Sequence, residues 1–244
     1  MRRRAAAPLP HPAPEPAVHD AGDEAPLLLR YQVPVPGLSP EHDGLRVAHL
    51  SDLHVGMLTP QEYIRRAVAL AAAQQPDLVV LTGDYVCYSP KFVGLFGDII
   101  GGFQVPTLCV LGNHDYHGDR EERVTDLLSE AGIDVLEGES IVLDLPGGRL
   151  GVGGVKGFGL GFAGRCGSDF GEPQMKAFSR HGRESAESLA RALAGLRGPG
   201  QEVDVTVALT HYAPVDETLV GEPAEIWPFL GNYLLAEAID AAGC

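Results

Sequence analysis

Cations, paired cysteines and long apolar runs are what this sequence has little of. Lys and Arg number 18 against 33 Asp and Glu, a formal net charge of −15. A surface that grips a long phosphate backbone needs clustered Lys and Arg, so no long nucleic acid is expected as a partner. The cysteines, Cys87, Cys109, Cys166 and Cys244, are scattered without Cys-x-x-Cys spacing, which excludes a disulfide-stapled scaffold and fits a reduced, cytoplasmic setting. The opening Met1-Arg2-Arg3-Arg4 is not followed by the apolar stretch of a signal peptide. No run approaches the ~18 apolar residues of a membrane span, and a soluble protein is expected.

What the chain does have is enough apolar material, 45% of 244 residues, to bury one substantial core. Residues 1–30, rich in Pro and Ala, read as a disordered arm and 31–244 as the domain. Arg2 to Arg4 are open to two readings, an anchor for anionic surfaces or a solvated tail; three charges bind membranes weakly, which favours the tail.

Short apolar runs at 45–50, 77–82 and 105–111 alternate with helical periodicity and predict a largely parallel sheet with right-handed crossovers. Ile64, Ala67, Val68 and Ala71 repeat at helical spacing after Thr59-Pro60-Gln61-Glu62. There Thr59 is the expected cap, Pro60 the first helical residue and Glu62 the partner in a capping box. Further helices are expected over about 90–102 and 119–131. Short strands at 133–136, 141–145 and 150–155, the last two joined by a turn at Pro146-Gly147-Gly148, predict a second sheet stacked on the first. Residues 151–171 read as a long irregular loop. Within it, Gly159-Leu160-Gly161-Phe162-Ala163-Gly164 matches G-x-G-x-x-G by letter but lies too late to open a first helix, so no dinucleotide site is expected. A helix over 183–196, a strand over 203–209 and a helix over 230–242 with Gly243 as its C-cap complete the pattern.

Each buried run ends in a polar cluster: Ser51-Asp52-Leu53-His54, Thr82-Gly83-Asp84-Tyr85, Gly112-Asn113-His114-Asp115 and Thr210-His211-Tyr212. Ligands bind at the carboxyl ends of strands in open α/β sheets, and oxygen with imidazole donors suits divalent metal ions. Asp52 and His54, two apart, point the same way in extended backbone and can grip one ion. Asp84 can give one oxygen to each of two ions, and Asn113 and His211 can complete the second. Two metals about 3.5–4 Å apart clamp a phosphoryl group and acidify a shared water into a nucleophile. His114 is then placed to protonate the leaving oxygen, with Asp115 orienting it and raising its pKa. His49 reads as a core histidine bonded to a neighbour, and His117 as a surface residue.

Asp52-x-His54, Gly83-Asp84, Gly112-Asn113-His114-Asp115 and His211, in register over residues 45–244, resemble the successive motifs of the calcineurin-like metallophosphoesterase superfamily. The resemblance implies an α/β fold in a four-layer α/β/β/α sandwich and a dinuclear centre that hydrolyses phosphomonoesters or phosphodiesters. It implies Asp52, His54 and Asp84 on one ion, Asp84, Asn113 and His211 on the other, the ions being manganese, iron, zinc or similar, and His114 as the acid. The family's closing Gly-His-x-His has no counterpart, since no histidine follows His211. A truncated sandwich without its last strands, with one imidazole fewer per ion, is therefore expected; His117 or His181 substitutes only through unusual geometry.

The leading functional expectation is a metal-dependent hydrolase of small or nucleotide-like phosphodiesters. The alternative is a catalytically impaired scaffold on the same fold, which the missing tail favours and the six convergent polar groups disfavour. Residues 213–231, with Glu217, Glu222, Trp227 and Phe229, are the candidate wall of a substrate pocket, where Trp227 either stacks on a base or packs in the core.

Overall fold

Apolar residues alternate along the central strands, and that alternation builds the layers. The computed structural model describes residues 25–35, 40–56, 59–86, 91–101, 103–119, 121–198, 200 and 202–244. Most of the expected arm over 1–30 lies outside the described residues. The first sheet holds β1 (Val47–Leu50), β2 (Leu78–Thr82), β3 (Thr107–Val110) and β4 (Asp134–Val135) in that order, all parallel. Its crossovers are α1 (Gln61–Ala72), α2 (Lys91–Ile100) and α3 (Glu121–Glu130). Val79, Leu81 and Cys109 point from the sheet onto Ile64, Val68, Phe96, Ile100, Val124 and Leu128 of those helices. Their sequence neighbours Leu78, Val80, Leu108 and Val110 point the other way, onto Leu150, Val152 and Leu209 of a second sheet.

That second sheet begins with the hairpin of β5 (Glu139–Leu145) and β6 (Gly148–Val155). A small hairpin of β7 (Gly161–Phe162) and β8 (Arg165–Cys166) follows, then α4 (Pro173–Gly195), and β9 (Val205–Thr210) returns parallel to β6. After β9 come α5 (Trp227–Leu230) and α6 (Tyr233–Ala242). Ala186, Leu189 and Leu193 of α4 and Leu235 of α6 cover the outer face of this sheet around Val155. The result is the expected order of layers, α/β/β/α.

Several local expectations are corrected. Residues 133–136 do not start the second sheet: β4 pairs with β3 in the first, and the Leu136 N–H donates to the Cys109 carbonyl. The chain changes sheets two residues later, where the Gly138 N–H donates to Gly154 and φ reaches +96°. Thr59 does not cap α1. Pro60, in extended backbone, is itself the N-cap and its carbonyl accepts from Tyr63 and Ile64. The helix expected over 183–196 begins ten residues earlier at Pro173, in its favoured first turn. The last helix is broken at Gly231, and Asn232 caps α6 by accepting from the Leu234 N–H at 3.0 Å. Gly243 closes it in left-handed conformation, as expected. Residues 151–171 are not one loop, since they finish β6 and form the β7–β8 hairpin. The G-x-G-x-x-G stretch lies in that hairpin and opens no helix.

Candidate metal centre

Three of the four polar clusters leave adjacent parallel strands at their carboxyl ends, and the fourth arrives from the second sheet. The ladder between β1 and β2 continues past the strands: Asp52, His54 and Val55 donate their N–H groups to the carbonyls of Gly83, Asp84 and Tyr85 at 3.0, 2.9 and 2.8 Å. Asp52, His54 and Asp84 all take left-handed backbone, with φ of 54°, 45° and 58°. Residues other than glycine hold such φ values only where surrounding structure over-determines them, typically at functional sites. The glycines of Gly83-Asp84 and Gly112-Asn113 permit close approach of β2 and β3. A Cβ on Gly83 would lie 2.6 Å from Gly112, and one on Gly112 would overlap the Asp84 carboxylate.

Asp84 is the centre of the cluster and is 3% exposed. Its Oδ2 lies 3.5 Å from His54 Nε2 and 3.9 Å from His114 Nε2, and His54 Nε2 is also 3.7 Å from Asp52 Oδ1. Its Oδ1 lies 3.6 Å from His211 Nε2 and accepts the His114 N–H at 2.8 Å. His211 Nε2 is 2.9 Å from Asn113 Oδ1. The five expected ligands, Asp52, His54, Asp84, Asn113 and His211, therefore meet at one lip. His54, Asp84 and His114 bring ligand atoms within 4.8 Å of one another, a group that can hold a metal ion. His114, expected as an acid rather than a ligand, is thus within reach of both roles.

The donor set fits a cation on a further ground. The Thr82 carbonyl, 2.7 Å from His211 Nδ1, can only accept, so Nδ1 carries the proton. In the neutral ring Nε2 then turns a lone pair toward the oxygens of Asn113 and Asp84, three electron-rich atoms facing each other, as around a bound metal.

Electrostatics follow from burial and these neighbours. Burial pushes the Asp52 carboxyl up, but the His54 imidazole 3.7 Å away and the hydrogen bond from the Ser51 hydroxyl outweigh it and hold the pKa below the usual carboxylate value. The Asp52 carboxylate at that distance raises the pKa of His54. Asp115 departs from its expected role: its carboxylate accepts main-chain N–H groups from Asp84, Tyr85, Val86 and Gly112 at 2.8–3.2 Å, tying the ends of β2 and β3 together. Burial pushes Asp115 up to about 6, and burial lowers His114 rather than raising it as anticipated.

Other histidines sort themselves. His49 is bonded to a neighbour, Thr82 Oγ1 at 2.7 Å, but on exposed edge strand β1 rather than in the core. His117 is exposed as expected, yet its ring stacks 4.3 Å from His114. Its place three residues after His114, one turn of a 3-10 helix, was the available signal. His181 packs on Phe158 at 4.4 Å. Trp227 is half-buried on the β7–β8 hairpin, its indole N–H donating to the Glu222 carbonyl and the Arg165 guanidinium lying over its ring, while Phe229 is exposed. Sequence reasoning missed two titratable groups near the site, the half-buried Glu137 and the buried Lys156. Lys156 is 8% exposed, and its ammonium lies 4.6 Å from the Tyr116 ring, 5.3 Å from Tyr212 and 5.5 Å from Phe158.

No helix among the described residues is long and apolar enough to cross a membrane. The chain is 33% identical over 106 residues to a phosphodiesterase, YaeI, of Escherichia coli, covering 41% of this chain and 39% of that protein. It is 32% identical over 76 residues to the UDP-2,3-diacylglucosamine pyrophosphatase LpxG of Chlamydia muridarum, covering 30% of this chain and 23% of that one. The matches thus span well under half the length of these relatives. The fold is that of TT1561 from Thermus thermophilus, with a TM-score of 0.55 at 17% identity over 82% of this chain and 78% of that one. The phosphopantetheinyl hydrolase PptH of Mycobacterium tuberculosis shares it, at a TM-score of 0.54 and 15% identity over 81% and 79% of the two chains. Layers, strand-end polar clusters and left-handed aspartates agree with the match of residues 45–233, more than half of the chain, to the calcineurin-like phosphoesterase model, and the chain belongs to that family.

Proposed function

We propose that this chain hydrolyses phosphoric ester bonds, acting on small or nucleotide-like phosphodiesters with two divalent cations that share the Asp84 carboxylate. The observation that carries the reading is the division of that carboxylate, Oδ2 toward His54 and His114, Oδ1 toward His211, whose ring in turn meets Asn113, while Asp52 meets His54. Bound ions would supply positive charge to the phosphoryl oxygens and acidify an attacking water. The chain's own residues do the rest. Thr82 fixes the His211 tautomer, Asp115 holds the two strand ends in register, and His114, at the same opening, is placed to stabilise the transition state or protonate the leaving oxygen. The names of the relatives, a phosphodiesterase and a pyrophosphatase of a nucleotide conjugate, favour a substrate with a phosphate linked on two sides. Residues 213–231 follow His211 directly and present Phe229, 61% exposed, as part of the substrate wall.

The test is turnover of bis(p-nitrophenyl) phosphate with added manganese. Hydrolysis that stops on chelation and in Asp84→Asn supports the proposal. Neither turnover nor metal uptake by the wild type would favour a scaffold instead.

A further inference from the structure

The two halves of the centre are not held in the same way. Asp52 and His54 sit on the loop that leaves β1, joined by main-chain bonds to Gly83, Asp84 and Tyr85 on the loop that leaves its neighbour β2. Asn113 follows β3 of the first sheet and His211 follows β9 of the second, so their 2.9 Å meeting depends on how the two sheets are fixed. Beside the bond of His211 to the Thr82 carbonyl, a further side chain bridges the sheets at that level. Glu137 Oε1 accepts the Leu111 N–H at 2.9 Å and the Lys156 N–H at 3.0 Å. Leu111 stands two residues before Asn113, and the Lys156 carbonyl accepts the N–H groups of His211 and Tyr212 at 3.1 and 3.0 Å. A continuous run of hydrogen bonds therefore links the backbone before Asn113 to the backbone of His211, with a single oxygen at its midpoint.

We propose that Glu137 is a positioning residue for the Asn113–His211 half of the centre: it touches no ion, and sets the distance between that half's two ligands by tying β3 to β6. The role needs an oxygen acceptor at the reach of a glutamyl side chain, whereas its charge is secondary. Outer partners that orient ligands are worth about 10–100-fold in metal affinity.

The inference rests on the dinuclear reading, and its test keeps the two apart. Manganese alone is titrated into the full chain and into Glu137→Gln, Glu137→Asp and Glu137→Ala. Gln keeps the acceptor and its reach; Asp keeps the charge but withdraws the oxygen by one methylene. The expected pattern is wild-type uptake in Gln and, in Asp and Ala, one of the two ions bound about 10–100-fold more weakly with the other unchanged. A second readout needs no metal: 15N NMR of the His211 ring reports the Nδ1–H tautomer, expected intact in wild type and Gln and averaged in Asp and Ala. If Ala does not fold, Asp carries the comparison. Equal loss of both ions in Asp, or an unchanged His211 signature in Asp and Ala, overturns the assignment. Absence of manganese uptake by the wild type sinks the dinuclear reading, and the ring signature still decides for or against Glu137.

Discussion

One half of the centre is built within a sheet and the other across two, and the contrast explains where strain and buried charge are found. On the Asp52–His54 side, main-chain bonds fix the loops so tightly that Asp52, His54 and Asp84 are driven into left-handed backbone. On the Asn113–His211 side no such ladder joins the described residues, and carboxyl side chains take its place. Asp115 ties the ends of β2 and β3 within the first sheet, and Glu137 alone of the two reaches to the second. Both carboxyls are pushed up by burial, to about 6 and about 7. The half assembled from one sheet carries its cost in backbone conformation; joining the second sheet adds the desolvation of a carboxyl, Glu137.

Removing the element common to both halves should have the largest effect. Asp84→Asn is expected to abolish uptake at both positions and lower turnover by roughly 10³ or more, on the scale of losing a central electrostatic group; calorimetric titration and initial rates check it. Gly112→Ala should come next, because the added Cβ overlaps Asp84. It is expected to cost about 1–3 kcal/mol in urea unfolding, as overpacking does, and to impair both halves. Single-half variants sharpen the contrast: His54→Ala and His211→Ala should each remove one ion and spare the other, visible as stoichiometry falling from two to one. The smallest effect is on pH dependence. Burial raises Glu137 in the folded state, so the native form prefers it protonated, and its contribution to stability is present below its unfolded pKa of 4.5 and lost as pH rises toward about 7. Wild-type stability should therefore decline across that window relative to Glu137→Gln, measured by urea midpoints at its two ends.

Much of this was legible in the sequence. The unbroken apolar run Leu78, Val79, Val80 and Leu81 forecast a buried strand, and polar clusters at strand ends forecast the lip where Asp52, Asp84, Asn113 and His211 meet. What escaped was decided by tertiary contact. β4 is a two-residue strand whose sheet is chosen by pairing with Cys109, not by its own pattern. The first turns of α4 are too polar to show helical periodicity, and Pro173 was the signal overlooked. Glu137 sits alone between two strands, with no motif to mark a carboxylate whose partners are backbone amides 26 and 19 residues away. The role expected of Asp115 followed from its neighbour His114, whereas its partners lie on the preceding strand's loop.

The central claim is that Asp84 joins two ion positions. Electron paramagnetic resonance of the manganese-loaded chain tests it most directly, since two ions bridged by one carboxylate at about 3.5–4 Å couple magnetically. An exchange-coupled spectrum that vanishes in Asp84→Asn is the predicted result. A spectrum of isolated manganese at saturating metal would contradict it.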